Sequence, residues 1–391
     1  MKFLKLALLG TAALAAASVS ARADALDSLK AAMDSLNVSP VADAPAAAAP
    51  ATSVVWTGYV RAGVTTSYSP NNTVGGAVYD PVAAAAVGTN RYYTNVRAYG
   101  EIKVTAKTET AVGEVGVAYQ IQSNNGQSQF EMGNGNMGAI TTDDISGWWK
   151  MTPNMTLTGG FLGTLAKSSY SWDAVATNWW SSEITNSAVY GGIPNGDPAA
   201  IQLAYADGPL SFAAQIEDSN NWTNNSAVGV TAKVGYKMDA IGFDLDGGYW
   251  GNANAGSSAG WSIAGGAGYS AGALSIGGAF GTAQIIGNGA TYTPGSIYAK
   301  VNMSDVAHIE LGVTHDFNTA ANDGLAGETT FGGGLYYTPV KQLAFGLEGS
   351  FQSGGAAAAG TSAAAAPTGV QSSNGNGNGA YTASIISQFM F

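Results

Sequence analysis

The chain has 391 residues, of which 54 are glycine and none is cysteine; 10% are charged and 46% hydrophobic. Its 15 basic residues stand against 26 acidic ones, a net charge of −11, which excludes a nucleic-acid binder, since such proteins bind by neutralising phosphates. The absence of cysteine removes disulfides and thiolate chemistry, and the lack of a G-X-Y period together with the hydrophobic content removes collagen and disorder.

In chain order, the first expected element is a secretory leader over residues 1–23. Lys2 and Lys5 form a basic start, Leu6 to Ala17 an apolar stretch too short to span a bilayer, and Ala21-Arg22-Ala23 a small-residue cleavage site. Its removal leaves 12 basic residues against 26 acidic, a net charge of −14. Residues 24–39 read as a short amphipathic helix, with Leu26, Leu29, Met33 and Leu36 spaced as a coiled-coil seam. Such a helix is marginal alone, so it reads either as a small three-stranded coiled coil or as a partly helical spacer. An Ala/Pro linker follows over 40–53.

From Val54 the periodicity changes to two, the mark of β-strands. Sixteen candidate strands follow: 54–68, 92–107, 113–122, 139–150, 155–164, 199–206, 210–218, 227–238, 241–251, 259–270, 273–283, 292–303, 306–317, 329–338, 341–352 and 380–391. Their connections alternate between a few residues and long loops such as 69–91, 123–138, 165–198, 318–328 and 353–379. Short turns at one end and long loops at the other describe a meander of hairpins between two unlike compartments.

The alternation is polar against apolar. Along 92–104, Asn95, Arg97, Tyr99, Glu101 and Lys103 share one face, and Val96, Ala98, Gly100, Ile102 and Val104 the other. Strands of ten or so residues match tilted membrane crossings rather than the five or six of a sandwich. Aromatics recur near strand ends, at Trp56, Tyr92, Tyr93, Trp148, Trp149, Trp250, Tyr269, Tyr336 and Tyr337, where an interfacial girdle is expected. The final segment keeps its period to the last residue, with Tyr381, Ala383, Ile385, Phe389 and Phe391 opposite Thr382, Ser384 and Gln388. The first strand needs a partner to close a ring, and the last is the one available. The fold class expected is therefore all-β: a 16-stranded antiparallel transmembrane β-barrel over 54–391, preceded by a short helix.

On the opening strand WTGYVRAGV, the late hairpin YYTPVKQLAFGLEGSF, the sixteen-strand rhythm, the long loop after strand five and the terminal Phe391, the sequence resembles the trimeric porins of alphaproteobacterial outer membranes. It departs from them in having no P-E-F-G-G-D-like segment in that loop. The resemblance implies a homotrimer in the outer membrane, in contact with lipid and lipopolysaccharide, with Phe389 and Phe391 in the C-terminal signal read by the barrel-assembly machinery. It also implies that loop 165–198 folds into the lumen.

A sixteen-stranded barrel leaves an aqueous channel, so function reduces to what narrows and charges the bore. The long loop carries Trp172, Trp179 and Trp180 to pack on a wall, and Asp173 and Glu183 as acids. Opposite it, Arg61 and Arg97 share the lumen-facing register, and basic wall against acidic loop sets a transverse field. Glu101, Lys103, Lys233, Lys237, Asp244, Glu310 and Glu348 are expected to line the rest. The acid excess predicts a weak cation preference. A surface adhesin and a substrate-selective channel of the same fold are the alternatives.

Catalytic readings are poor and no cofactor is expected. His308 and His315 are seven residues apart on one strand, so they face opposite ways, which argues against a two-histidine zinc site or a triad. The G-x-G-x-x-G match at Gly133 to Gly138 has no following helix.

Overall fold

A computed structural model describes residues 52–69, 91–125, 140–177, 198–218, 228–251, 259–284, 291–317, 329–353 and 380–391. The expected leader, helix and most of the linker, with Trp179, Trp180 and Glu183, lie outside these residues.

Sixteen strands form one antiparallel sheet: β1 (Ser53–Ser69), β2 (Arg91–Thr110), β3 (Gly113–Asn125), β4 (Ile140–Thr152), β5 (Met155–Phe161), β6 (Ala199–Asp207), β7 (Leu210–Asp218), β8 (Val228–Met238), β9 (Ile241–Trp250), β10 (Gly260–Ala271), β11 (Leu274–Gln284), β12 (Thr291–Tyr292 and Pro294–Ser304), β13 (Ala307–Asp316), β14 (Thr329–Val340), β15 (Leu343–Ser353) and β16 (Ala380–Met390). The break in β12 falls at Thr293, just before Pro294, which has no N–H to give the ladder; the Thr293 N–H donates instead to Asp316 Oδ1 at 3.2 Å.

Each strand pairs with its neighbours in sequence, and β16 returns to β1, Tyr59 opposite Met390 through Tyr68 opposite Tyr381. The sheet is thereby closed and has no free edge. Phe391 extends the seam beyond β16, exchanging two backbone hydrogen bonds with Gly58 at 3.1 and 3.3 Å. Its ring lies over Gly58, where an added Cβ would come within 2.5 Å of it.

All the connections at one end are two residues long, from Ala111–Val112 to Lys341–Gln342. Three of these turns use left-handed backbone, at Gly208 (φ 55°), Gly272 (φ 57°) and Asp239 (φ 48°). The expected boundaries shift by a few residues. β2 runs on to Thr110, and β5 stops at Phe161 because the chain turns inward there. Gly160 makes that departure: its φ of 145° suits glycine, and a Cβ would lie 2.1 Å from the Ile145 carbonyl oxygen.

The two faces of the wall are opposite in character. Ile385 is 68% exposed on the outside while Ser384 beside it is 1% exposed within; Leu311 at 61% adjoins Glu310 at 2%. Large apolar side chains cover the exterior, among them Val96, Ile201, Leu245, Ile297 and Phe389. Polar ones point inward. A water-soluble protein has the reverse pattern, and only a closed sheet satisfies its own backbone in lipid, so this is a membrane-spanning barrel.

Near the long-loop ends, outward polar groups pair with one another: Thr66 with Thr94, Trp261 with Gln284, and His315 with Thr329. The girdle reading needs one correction. Within Trp148-Trp149 and Tyr336-Tyr337 the period of two sends the first residue inward and the second outward, and Trp250 also points inward, fully buried, with its indole N–H donated to Glu217 at 2.6 Å.

Candidate functional site

The bore is shaped by the segment that follows β5. Leu162 N–H donates to Pro198 O at 3.0 Å, pinning the start of the connection to its far end. From there residues 163–177 run across the inner wall from β7 to β14, held at each step by inward side chains.

The first anchor is Glu217 on β7. It accepts from Thr164 Oγ1 at 3.3 Å, Thr231 Oγ1 at 3.2 Å, Gln215 Nε2 at 2.7 Å and the Trp250 indole. With its oxygens satisfied, a carboxylate this buried is tolerated. Ala166 then packs with Trp250 and Ala283 in the one apolar cluster found among the described buried residues.

The second anchor is Asp244 on β9, 6% exposed. Ser168 Oγ donates to Oδ1 at 2.7 Å and the Ser169 N–H to Oδ2 at 2.6 Å. Lys233 on β8 compensates the charge at 3.2 Å and also donates to the Lys167 carbonyl. Hydrogen bonds to an ionised acceptor are worth about 1.5–3 kcal/mol each, so this carboxylate holds two successive loop residues firmly.

The third anchor is steric. Tyr170 lies against Gly242, Gly266 and Gly268, and Trp172 fills a slot floored by Gly312 and Gly332. A Cβ at Gly312 would sit 2.1 Å from the indole ring, and one at Gly332 2.4 Å from it. These inward glycines leave the depressions that two aromatic side chains occupy. Burial, reinforced by the Asp244 carboxylate, pushes the Tyr170 hydroxyl above its ordinary range, so it stays neutral. Trp172 N–H donates to Ser296 Oγ on β12 at 3.1 Å and begins a single helical turn, α1 (Trp172–Val175), while Ser171 Oγ turns back and donates to Ser168 O at 3.0 Å.

The fourth anchor is Glu310 on β13. Thr177 donates to it with both its N–H and its hydroxyl. Lys300 on β12 reaches the same carboxylate at 2.8 Å, and His308 Nε2 lies 3.1 Å from it.

On the opposite side of the bore, Arg61 on β1 donates to Gln388 at 3.0 Å, and its guanidinium lies 4.9 Å from the Tyr59 ring centre and 5.7 Å from that of Tyr99. The two rings stack at 5.6 Å, and Tyr59 donates to Glu101 at 3.0 Å. Such a cation over aromatic faces is held in one orientation. Arg97 occupies the rung opposite Gly63, one inward position along from the Arg61–Tyr99 rung. Lys103 pairs with Asp144 at 3.4 Å.

The other residues singled out from sequence fall as follows. Asp173 lies in α1. Asp244 and Glu310 face inward but are covered by the loop and serve as its anchors rather than as solvated lining. Glu348 is also buried, accepting from the Tyr336 hydroxyl at 2.9 Å. Lys237 is exposed, one residue from the end of β8 at a two-residue turn. Phe389 and Phe391 point outward.

Sequence reading missed Thr177, Ser168, Ser296, Lys300 and Glu217 as loop contacts. One signal was present: Gly242, Gly266, Gly268, Gly312 and Gly332 all stand on the inward register of their strands, leaving room there for a covering segment.

No protein-family model matches the chain, and no curated protein matches its sequence. Solved structures do match. An engineered variant of the Rh. blastica porin aligns at a TM-score of 0.54 and 16% identity, over 87% of this chain and all of that one. A second variant of that porin gives 0.51 at 16% identity, with the same coverage. The Salmonella typhi OmpF structure, in complex with daunomycin, gives 0.59 at 11% identity, over 86% of this chain and 97% of its own. The chain has the sixteen-stranded barrel fold of these porins.

Proposed function

We propose that this protein is an outer-membrane porin, a channel rather than an enzyme, through which small hydrophilic solutes and ions diffuse passively. The observation that carries the reading is the segment 163–177 clamped across the inside of an otherwise polar, apolar-coated barrel, which supports a bore narrowed by this loop. Loops of this kind turn a wide barrel into a size filter.

In this reading Arg61 and Arg97 form the basic wall of the constriction, and Asp173 and Glu183 its acidic side. Glu101, Lys103, Lys233 and Lys237 contribute charge along the bore. The pairing of Lys233 with Asp244 and of Lys300 with Glu310 cancels much of the wall's charge, so the acid excess of the sequence gives only a weak cation preference. The protein works as a homotrimer embedded among lipid and lipopolysaccharide, and Phe389 and Phe391 present the C-terminal strand to the assembly machinery; the fold shared with the trimeric porins named in the sequence reading supports this.

Planar-bilayer recording of detergent-extracted protein tests it. Stepwise insertions that close in thirds at high voltage are expected, with a reversal potential of cation-selective sign under a KCl gradient. Flux that saturates with a single solute points instead to a substrate-selective channel, and folded protein that inserts no conductance refutes the open pore.

A further inference from the structure

The fourth loop anchor has a second chemistry. His308 and Glu310 are two residues apart on β13, so both side chains leave the same inner face. Thr177 closes over them from the loop. His308 Nε2 lies 3.1 Å from Glu310 Oε1 and 3.2 Å from Thr177 Oγ1, and the Thr177 hydroxyl touches that same carboxylate oxygen. Donor atoms bound to one tetrahedral divalent ion, with bonds of about 2.0–2.2 Å, stand roughly 3.2–3.6 Å apart. The imidazole nitrogen therefore stands at nearly the required spacing from both the carboxylate oxygen and the hydroxyl, while these two, now hydrogen-bonded to each other, have to part for an ion to enter.

The place of the ion is held by a cation already. Lys300 Nζ is 2.8 Å from Glu310 Oε1 and 3.4 Å from Thr177 Oγ1. The imidazole is pre-oriented, since the Tyr336 ring stacks on it at 4.9 Å and 24°, and Tyr336 is itself fixed to Glu348. Such supporting contacts are what hold a histidine ligand in place. His308 also borders a recess of about 440 Å³ at the short-turn end, with Asn302, Asp305 and Thr338 on its walls, so an ion has a polar route in from that mouth.

We propose that His308, Glu310 and Thr177 form a binding site for a divalent transition metal of the zinc class, in which the ion displaces the Lys300 ammonium and water completes the coordination. Imidazole with carboxylate suits zinc, copper and nickel rather than calcium or magnesium. Among the described residues no cluster of three His, Cys, Asp or Glu side chains exists, so this is a site of two strong ligands, occupied when the metal is abundant. The opposed directions of His308 and His315 disfavour a two-histidine site but have no bearing on a histidine paired with the acid two residues on. A bound ion ties the loop to β13 and puts an extra positive charge at the narrowing, which lowers cation passage. That consequence rests on the porin reading, whereas binding does not.

The test is calorimetric titration of the detergent-purified protein with ZnCl2, beside His308→Gln and Lys300→Met. One zinc per chain is expected in the wild type, lost in His308→Gln and bound roughly tenfold or more tightly in Lys300→Met, where the competing ammonium is gone. In bilayers, zinc should then reduce each channel's conductance relative to its own metal-free value, with reversal by EDTA. Equal binding by wild type and His308→Gln overturns the site, as does a Lys300→Met protein that binds no zinc, and the second result stands even where His308→Gln fails to fold. Zinc binding by a protein that never conducts refutes the porin reading and leaves the site intact.

Discussion

Replacing Trp172 by alanine should free the loop while leaving the barrel closed. The indole is 1% exposed and lies over Gly312 and Gly332. A buried tryptophan removes about 200 Å² from water, worth about 5 kcal/mol at ~25 cal/mol per Å², and tryptophan-to-alanine changes in packed sites cost about 3–5 kcal/mol. The neighbouring anchors remain, namely Ser168 and Ser169 on Asp244 and Thr177 on Glu310. The loss is therefore spent on local opening of the loop. At about 1.4 kcal/mol per factor of ten, hydrogen exchange at the Tyr170 and Trp172 amides should accelerate by roughly two to three and a half decades.

The strand ladders make no use of this side chain, so their exchange and the heat resistance of the barrel in detergent should not move. Gly312→Ala reaches the same state from the other side, because its Cβ would lie 2.1 Å from the ring and the indole has to leave its slot. Both variants should give noisier single-channel currents. Loop amides that exchange at the wild-type rate in Trp172→Ala would refute the clamp, and acceleration spread evenly over the ladders would show that the residue supports the wall instead.

Three further outcomes follow from the same geometry. Asp244→Ala should loosen residues 168–169 and leave Lys233 without its carboxylate, whereas Asp244→Asn keeps one acceptor for Ser168 and should loosen them less; the same exchange experiment ranks the two, and equal effects would mean the charge alone matters. Arg61→Gln removes a positive charge from the bore, so the reversal potential under a KCl gradient should shift toward cation selectivity; no shift places Arg61 outside the permeation path. Deleting Phe391 removes the two backbone hydrogen bonds to Gly58, each worth about 0.5–1.5 kcal/mol, together with the ring that covers it. The yield of heat-modifiable folded barrel should fall, as measured by gel mobility, and an unchanged yield would show that the seam closes without it.

The sequence by itself determined the wall. Side-chain direction in a strand alternates with a period of two whatever the strand's partners are, so Ile385 against Ser384 and Leu311 against Glu310 could be read locally, and the two-residue turns marked where each hairpin reverses. Closure was legible for the same reason, because a last strand patterned to Phe391 can be satisfied only by the first. What lies over the wall was not. Asp244 and Glu310 read as lining acids and Glu217 drew no reading, since nothing in β7, β9 or β13 says that a segment dozens of residues away will cover them. Trp250 read as a girdle residue because its strand-end position is local, whereas its burial depends on Glu217, Thr231 and Ala166 arriving beside it. Only the tertiary structure brings the glycines of β9, β10, β13 and β14 under Tyr170 and Trp172. That fit is one of shapes made by separate strands, and it fixes residues 170–172 against the inner wall.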